Sequence, residues 1–251
     1  MISVYILLFF IYGIIFGSFF NVVGLRVPKG ESIVKPPSHC TVCDRNLTIV
    51  DLVPVFSYLF LKGKCRGCGT KISWIYPVME LVTGLLFAFA YVQLGFSVEL
   101  IVAILFISML VIITVSDLAY MLIPDKILLF FLIPLALARV FSPHSPWWDS
   151  ILGAVIGFGV LFLIALLSKG GMGGGDIKLF FVIGIVLGMS NTLLTLFLAS
   201  VIGTVIGIIV LRKAKKGRKT PIPFGPSIAI AAILAYFYGN SLVDWYVNLF
   251  F

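Results

Sequence analysis

The chain repeatedly runs for a bilayer's thickness without a charge. A helix needs roughly 20 apolar residues to cross the hydrocarbon core, and by that measure the first stretch is Ile2 to about Val23. Further runs follow at about Ile75–Leu94, Leu100–Val115, Ile127–Val140, Ile151–Leu167, Ile177–Met189, Leu193–Leu211 and Ile228–Leu249. With 61% of residues hydrophobic and 11% charged, too little polar surface remains for a water-soluble domain of 251 residues. The expected fold is an all-α polytopic membrane protein of about eight transmembrane helices. The first run lacks a basic flank and a small-residue cleavage site, so it reads as a retained helix rather than a signal peptide. No two runs repeat one another.

One segment breaks the pattern. From Arg26 to Ser73 the chain is polar, turn-rich and holds all four cysteines. It is too short to build a large core and reads as a small domain inserted after the first helix. The expected division is 1–25 (first helix), 26–74 (inserted cysteine domain) and 75–251 (the remaining membrane helices).

Charge orients the chain. Starting the first helix outside places the inserted domain inside, with eight Lys and Arg between Arg26 and Lys71. The later inside loops then hold Lys126, Lys169, Lys178 and the run Arg212, Lys213, Lys215, Lys216, Arg218 and Lys219. Of 18 basic residues only Arg139 falls opposite, so the positive-inside rule predicts both termini outside. The formal net charge of +8 is thus mostly topology. Nucleic acid is not expected as a partner, because no exposed aromatic–basic interleaving or recognition module occurs.

The cysteines form two Cys-x-x-Cys pairs, Cys40/Cys43 and Cys65/Cys68, with 21 residues between them. Two such knuckles can bring four thiolates onto one tetrahedral ion, for which zinc is the expected metal. Two disulfides are the alternative, disfavoured in a reducing compartment. A four-cysteine site is coordinatively closed, so its expected work is to fold the loop.

Acidic residues in or beside apolar spans are functional candidates, and Glu80, Asp117 and Asp176 stand out. Asp117 follows Val111-Ile-Ile-Thr-Val-Ser at the inner end of the third span. Asp176 follows the glycine-rich Gly170–Gly175 at the inner start of the sixth. Opposite helix directions bring both carboxylates to one depth, near water but in a low-dielectric setting. Two such carboxylates can share the work of activating water, one ionised and one protonated. Asp176 as a helix cap and Asp117 as a partner of Lys178 are the plainer readings. The glycines favour catalysis, since they let a substrate strand approach. Asp125 reads as a cap of the fourth span, and Pro221–Pro226 as the kinked entry to the last. His39 reads as a loop residue, and with His144 on the other side no Cys–His or Ser–His pair assembles. Two rivals are an ion-relaying transporter built on Asp117 and Asp176, which would want acids at mid-membrane and internal repeats, and a non-catalytic assembly protein.

Five ordered motifs resemble the type IV prepilin leader peptidases, a family of membrane aspartic proteases. Gly17-Ser-Phe-Phe-Asn-Val-Val23 with Arg26-Val-Pro28 is similar to its opening motif. Pro37-Ser-His-Cys40 through Lys64-Cys-Arg-Gly-Cys68 to Tyr76-Pro77-Val-Met-Glu80 resembles its cytoplasmic domain and second helix. Asp117 with Ile123-Pro124-Asp125 and Gly171–Leu179 resemble its two catalytic segments, and Pro223-Phe-Gly-Pro226 its C-terminal element. The resemblance implies Asp117 and Asp176 as the catalytic pair. It implies as substrates prepilins and pseudopilins with a short basic leader ahead of a hydrophobic helix, cut on the cytosolic face of the bacterial cell membrane. Because the cysteine domain is retained, it also implies N-methylation of the new terminus with S-adenosylmethionine, with Glu80 as a participant or a buried polar partner. A peptidase that has lost methylation is the nearest alternative.

Overall fold

The computed structural model describes residues 2–168, 173–214 and 222–250. Every regular element is helical: α1 (Ile2–Arg26), the short α2 (Phe56–Phe60), α3 (Ile75–Leu94), α4 (Val98–Tyr120), α5 (Asp125–Phe141), α6 (Asp149–Leu167), α7 (Gly174–Ala214) and α8 (Gly225–Phe250). Among the described residues, six helices are long and apolar enough to cross a membrane. Helices satisfy the backbone within the segment, as lipid demands.

The 41-residue α7 is two helices joined at Gly188, whose φ of 74° and ψ of 179° lie outside the helical region. The chain folds back there. A Cβ on Gly157 of α6 would meet both Phe180 O at 2.7 Å and Thr192 Cγ2 at 3.0 Å. In a straight helix those two residues would lie about 18 Å apart. The backbone groups opened by the turn find side chains: Met189 N–H donates to Asp149 Oδ1 at 3.1 Å, and the Val186 carbonyl lies 3.0 Å from His144 Nε2. With α7 counted as two passages and the 17-residue α5 included, the apolar helical segments coincide with the eight runs expected from sequence.

The chain divides into two compact units, Met1–Val115 and Ser116–Phe251. In the first, α1 and α3 lie in close contact because their facing residues are small. A Cβ on Gly17 would sit 2.8 Å from the Glu80 Cα, the close backbone approach that drives helix pairing in lipid, where hydrophobicity supplies no force between helices. The second unit holds α5 to α8 and the last turn of α4. Its α8 buries an alanine face, Ala229, Ala231, Ala232 and Ala235.

Some boundaries differ from the sequence reading. The third span extends to Tyr120, so Asp117 lies inside the helix rather than after it. Asp125 does not cap α5; Pro124 holds that position, without a side-chain hydrogen bond. Gly170–Met172 and the basic run from Lys215 to Lys219, together with Lys169 and Pro221, lie outside the described residues.

Candidate active site

Asp117 is carried on the last turn of α4, and the chain's exit from that helix fixes it. Met121 adopts a φ of 53°, and its N–H returns to the Asp117 carbonyl at 2.9 Å, an αL-type helix end. Ser116 Oγ donates to the Leu122 carbonyl at 2.6 Å, satisfying a group of the extended link that leads through Pro124 into α5. The Asp117 side chain is buried and its Oδ2 accepts the Gly225 N–H at 2.7 Å. Gly225 opens α8, and a helix's first N–H groups have no partner within it. The carboxylate supplies one.

Asp176 lies in the first turn of α7, half-buried, with its N–H on the Gly173 carbonyl at 3.1 Å. It is therefore not the helix cap expected as the plain alternative. The glycines before it are needed sterically. A Cβ on Gly175 would stand 2.8 Å from the Ile123 Cβ, so a bare backbone lets the start of α7 rest on the α4–α5 link. Asp117 and Asp176 thereby come close enough for the charge of one to act on the other. Lys178 pairs with Asp125 at 2.6 Å, not with Asp117, and both partners are largely exposed at the rim. Two buried-end carboxylates, one fixed by a backbone N–H, beside stripped-down glycine backbone, can activate a water against a substrate carbonyl.

The first unit carries a separate cluster. The Sγ atoms of Cys40, Cys43, Cys65 and Cys68 all lie within 4.8 Å of one another, and all four are free thiols. Each pair sits on a small hairpin of the same build. Cys40 N–H bonds Arg45 O and Asp44 N–H returns to Cys40 O; Cys65 N–H bonds Thr70 O and Gly69 N–H returns to Cys65 O. Asp44 and Gly69, in equivalent places, have φ of 51° and 72°. The Thr70 hydroxyl, then its N–H, holds the Cys68 thiol down at about 6. Although the Arg45 N–H lowers Cys43, the Cys68 sulfur, burial and the other sulfurs together carry it up to about 11. Four sulfurs so close can all ionise only around a cation, and the cluster could hold a metal ion. His39 is not part of it: its Nδ1 faces the Pro37 carbonyl at 3.0 Å, as a loop residue.

Glu80, singled out by its rarity, is buried between α1 and α3. Its Oε2 accepts the Val55 N–H at 2.7 Å, and Ser18 also bonds to it. Nearby Asn21 donates to the Tyr76 carbonyl at 3.2 Å, while its Oδ1 has no hydrogen-bond partner among the described residues. The Gly225–Asp117 bond escaped the sequence reading. Its signal was the Pro223-Phe-Gly-Pro226 string, in which a helix begins with few N–H groups and each must find an acceptor.

Residues 11–94 match the bacterial peptidase A24 N-terminal domain, and residues 104–208 match the type IV leader peptidase family. The chain is 47% identical to a prepilin leader peptidase/N-methyltransferase of Bacillus subtilis (strain 168), over 96% of this chain and 97% of that protein. It is 32% identical to a protein of the same name from Aeromonas salmonicida (strain A449), covering 97% and 94% of the two chains. A third, from Pseudomonas aeruginosa, is also 32% identical, over 94% and 91%. No solved structure matches the chain.

Proposed function

The chain belongs to the type IV leader peptidase family, and from that premise we propose that Asp117 and Asp176 cut the leader from prepilin-like substrates. The observation that carries the proposal is the meeting of two acids from separate helices, α4 and α7, with Gly225 N–H fixing one oxygen of Asp117. With Oδ2 so engaged, Asp117 Oδ1 is the oxygen that would act with Asp176 on a water molecule.

One carboxylate is ionised and one carries a proton. The ionised group takes a proton from water as the water oxygen adds to the scissile carbonyl carbon. The protonated group hydrogen-bonds to the carbonyl oxygen as it becomes negative. When the tetrahedral species collapses, the C–N bond breaks, a proton passes to the leaving amine, and the new carboxyl and amino termini separate. The pair titrates as a unit, so the two roles belong to the pair and not to fixed residues. Gly173 and Gly174 are exposed and present unshielded backbone along which an extended substrate segment can lie.

The bifunctional reading adds methylation of the amine just released. S-adenosylmethionine supplies the methyl group. A sulfonium cation suits a buried carboxylate, and Glu80, through the oxygen that Val55 does not use, and the unpartnered Asn21 Oδ1 are the groups of the first unit that fit it. We assign zinc to the four cysteines. A tetrahedral zinc–thiolate site with bonds of about 2.3 Å has sulfurs about 3.8 Å apart, and Cys40 Sγ lies 3.7 Å from Cys68 Sγ. That ion would fix the fold of segment 26–74 and take no part in hydrolysis. From the charge pattern we place this segment and the cleavage on the cytoplasmic face of the bacterial cell membrane, with both termini outside.

The test is cleavage of a prepilin by the purified protein in lipid, beside Asp117→Asn and Asp176→Asn. Both variants should keep the wild-type fold and lose cleavage. Normal cutting by either would remove it from the mechanism. Adding S-adenosylmethionine should give the mature product with one added methyl group by mass.

A further inference from the structure

Between the two cysteine hairpins the chain carries a run that resembles neither a soluble surface nor a core. Ile49, Val50, Phe56, Leu59 and Phe60 are all exposed, Ile49 at 85% and Phe60 at 84%. They lie on the 3-10 turn Ile49–Leu52 and on α2. From Ile49 to Phe60 the only charged residue is Asp51, and it turns inward onto Arg45 and Arg66 at 2.9 and 3.3 Å. Directly after Phe60 come the exposed Lys62 and Lys64.

The depth of this run is fixed by one bond. Phe56 N–H closes on the Pro54 carbonyl at 2.6 Å, a three-residue turn centred on Val55 at φ 62°, ψ −53°. That is the strained form of the γ-turn, and a β-branched residue is poorly suited to it. What holds it is Glu80, whose Oε2 takes the Val55 N–H at 2.7 Å. Glu80 lies within the span α3, six residues past the exposed Trp74, or about 9 Å along the helix. Tryptophan just ahead of a span suits the headgroup level. Val78 and Leu81, which flank Glu80 on α3, are exposed apolar side chains, the kind of surface a span turns to lipid. The turn at Val55 is thus pinned below headgroup level, at the roughly 5–10 Å where the apolar face of an interfacial helix sits.

We infer that residues 49–60 form a foot inserted into the leaflet at which α3 begins. Its apolar side chains contact acyl chains, Lys62 and Lys64 meet anionic headgroups, and Glu80 pins it through Val55. The occupant of this surface is lipid: apolar residues at that depth, flanked by lysines, match a bilayer boundary better than a protein partner. Glu80 is then a positioning residue for the loop. The inference stands apart from the peptidase reading, since it concerns where a segment lies and not what is cut.

The test places a tryptophan at the foot. The four native tryptophans are replaced by phenylalanine, Phe60→Trp is added, and the protein is reconstituted in phosphatidylglycerol-containing vesicles. Leu59→Trp is a second reporter should the first fail to fold. The emission should be blue-shifted, quenched by lipid brominated on its acyl chains, and unaffected by aqueous iodide. Adding Glu80→Ala should lessen the bromolipid quenching and admit iodide. Quenching by iodide without bromolipid quenching would place the segment in water and overturn the inference. Protection from both quenchers would mean that protein covers it, and would overturn the inference equally. Unchanged quenching in the Glu80→Ala protein would refute the pin.

Discussion

Replacing Gly225 by alanine puts a methyl group against the side chain that its N–H holds, that of Asp117. Its Cβ would stand 2.8 Å from Asp117 Oδ2, 3.0 Å from the Cβ and 3.1 Å from the Cγ. Ordinary contact starts near 3.4 Å, so the approach is about 0.3–0.6 Å too close in a packed interior that does not yield freely. All three atoms belong to the same side chain, and turning the carboxylate does not clear them; Asp117 or the start of α8 must move. Misplacing a reacting group by about 1 Å costs about 100-fold in rate, so a shift of half that size should cost on the order of 10-fold. Helix propensity does not confuse the result, because alanine is favoured over glycine in a helix. The assay is prepilin cleavage with kcat and KM measured separately: kcat should fall, KM should hold, and the protein should still unfold cooperatively, at a temperature modestly below wild type. Gly159→Ala, at an α6 glycine with nothing within 4 Å of an added Cβ, is the control and should cut normally. If Gly225→Ala cuts as fast as wild type, the Gly225–Asp117 contact has no part in holding the catalytic geometry.

Three other outcomes follow from the structure. One equivalent of zinc should be found per chain by elemental analysis, and Cys65→Ser, at the buried ligand, should release it; a full zinc content in that variant would refute the four-cysteine site. Asp51 accepts the Thr48 N–H and hydroxyl and pairs with Arg45 and Arg66, which hold its carboxyl below the ordinary range. Its contribution is therefore present above the ordinary value of about 3.9 and is lost as pH falls through the lowered folded value. Asp51→Ala should cost about 1 kcal/mol, read as metal release at lower temperature at pH 7, and should remove that acid dependence. Asp149→Ala should leave the Met189 N–H without its acceptor, a loss of about 1–3 kcal/mol, whereas Asp149→Asn keeps an acceptor and should unfold close to wild type; equal melting of the two would refute this account of the Gly188 turn.

Asp117 and Asp176 were legible because a carboxylate beside an apolar span is costly and so conspicuous. The cysteine cluster was legible because two Cys-x-x-Cys pairs are the spacing that brings four sulfurs together, as they are here within 4.8 Å. The spans followed from hydropathy, since lipid leaves the backbone few alternatives. What stayed hidden depends on contacts distant in sequence. Nothing around Val55 announces a strained turn, because its cause is an acceptor on Glu80. Lys178 offered itself as a partner of Asp117, and Asp125, expected as a helix cap, takes it instead. The turn at Gly188 left only a weak trace, a Gly-Met-Ser-Asn break between two apolar runs, because the groups that satisfy it, Asp149 and His144, lie some forty residues away.

That turn also bears on how the protein is made. A reversal compressed to one glycine leaves no loop between the two arms of α7, so neither can settle in the bilayer while the other waits outside it. Residues 174–212 would have to enter as a closed pair, and the groups that meet the turn, the Asp149 carboxylate and the His144 ring N–H, emerge from the ribosome before it. Translation order thus delivers the clasp ahead of the hairpin it fastens. A tag or protease site inserted at Gly188 would be expected to block assembly at that step, before any question of activity arises.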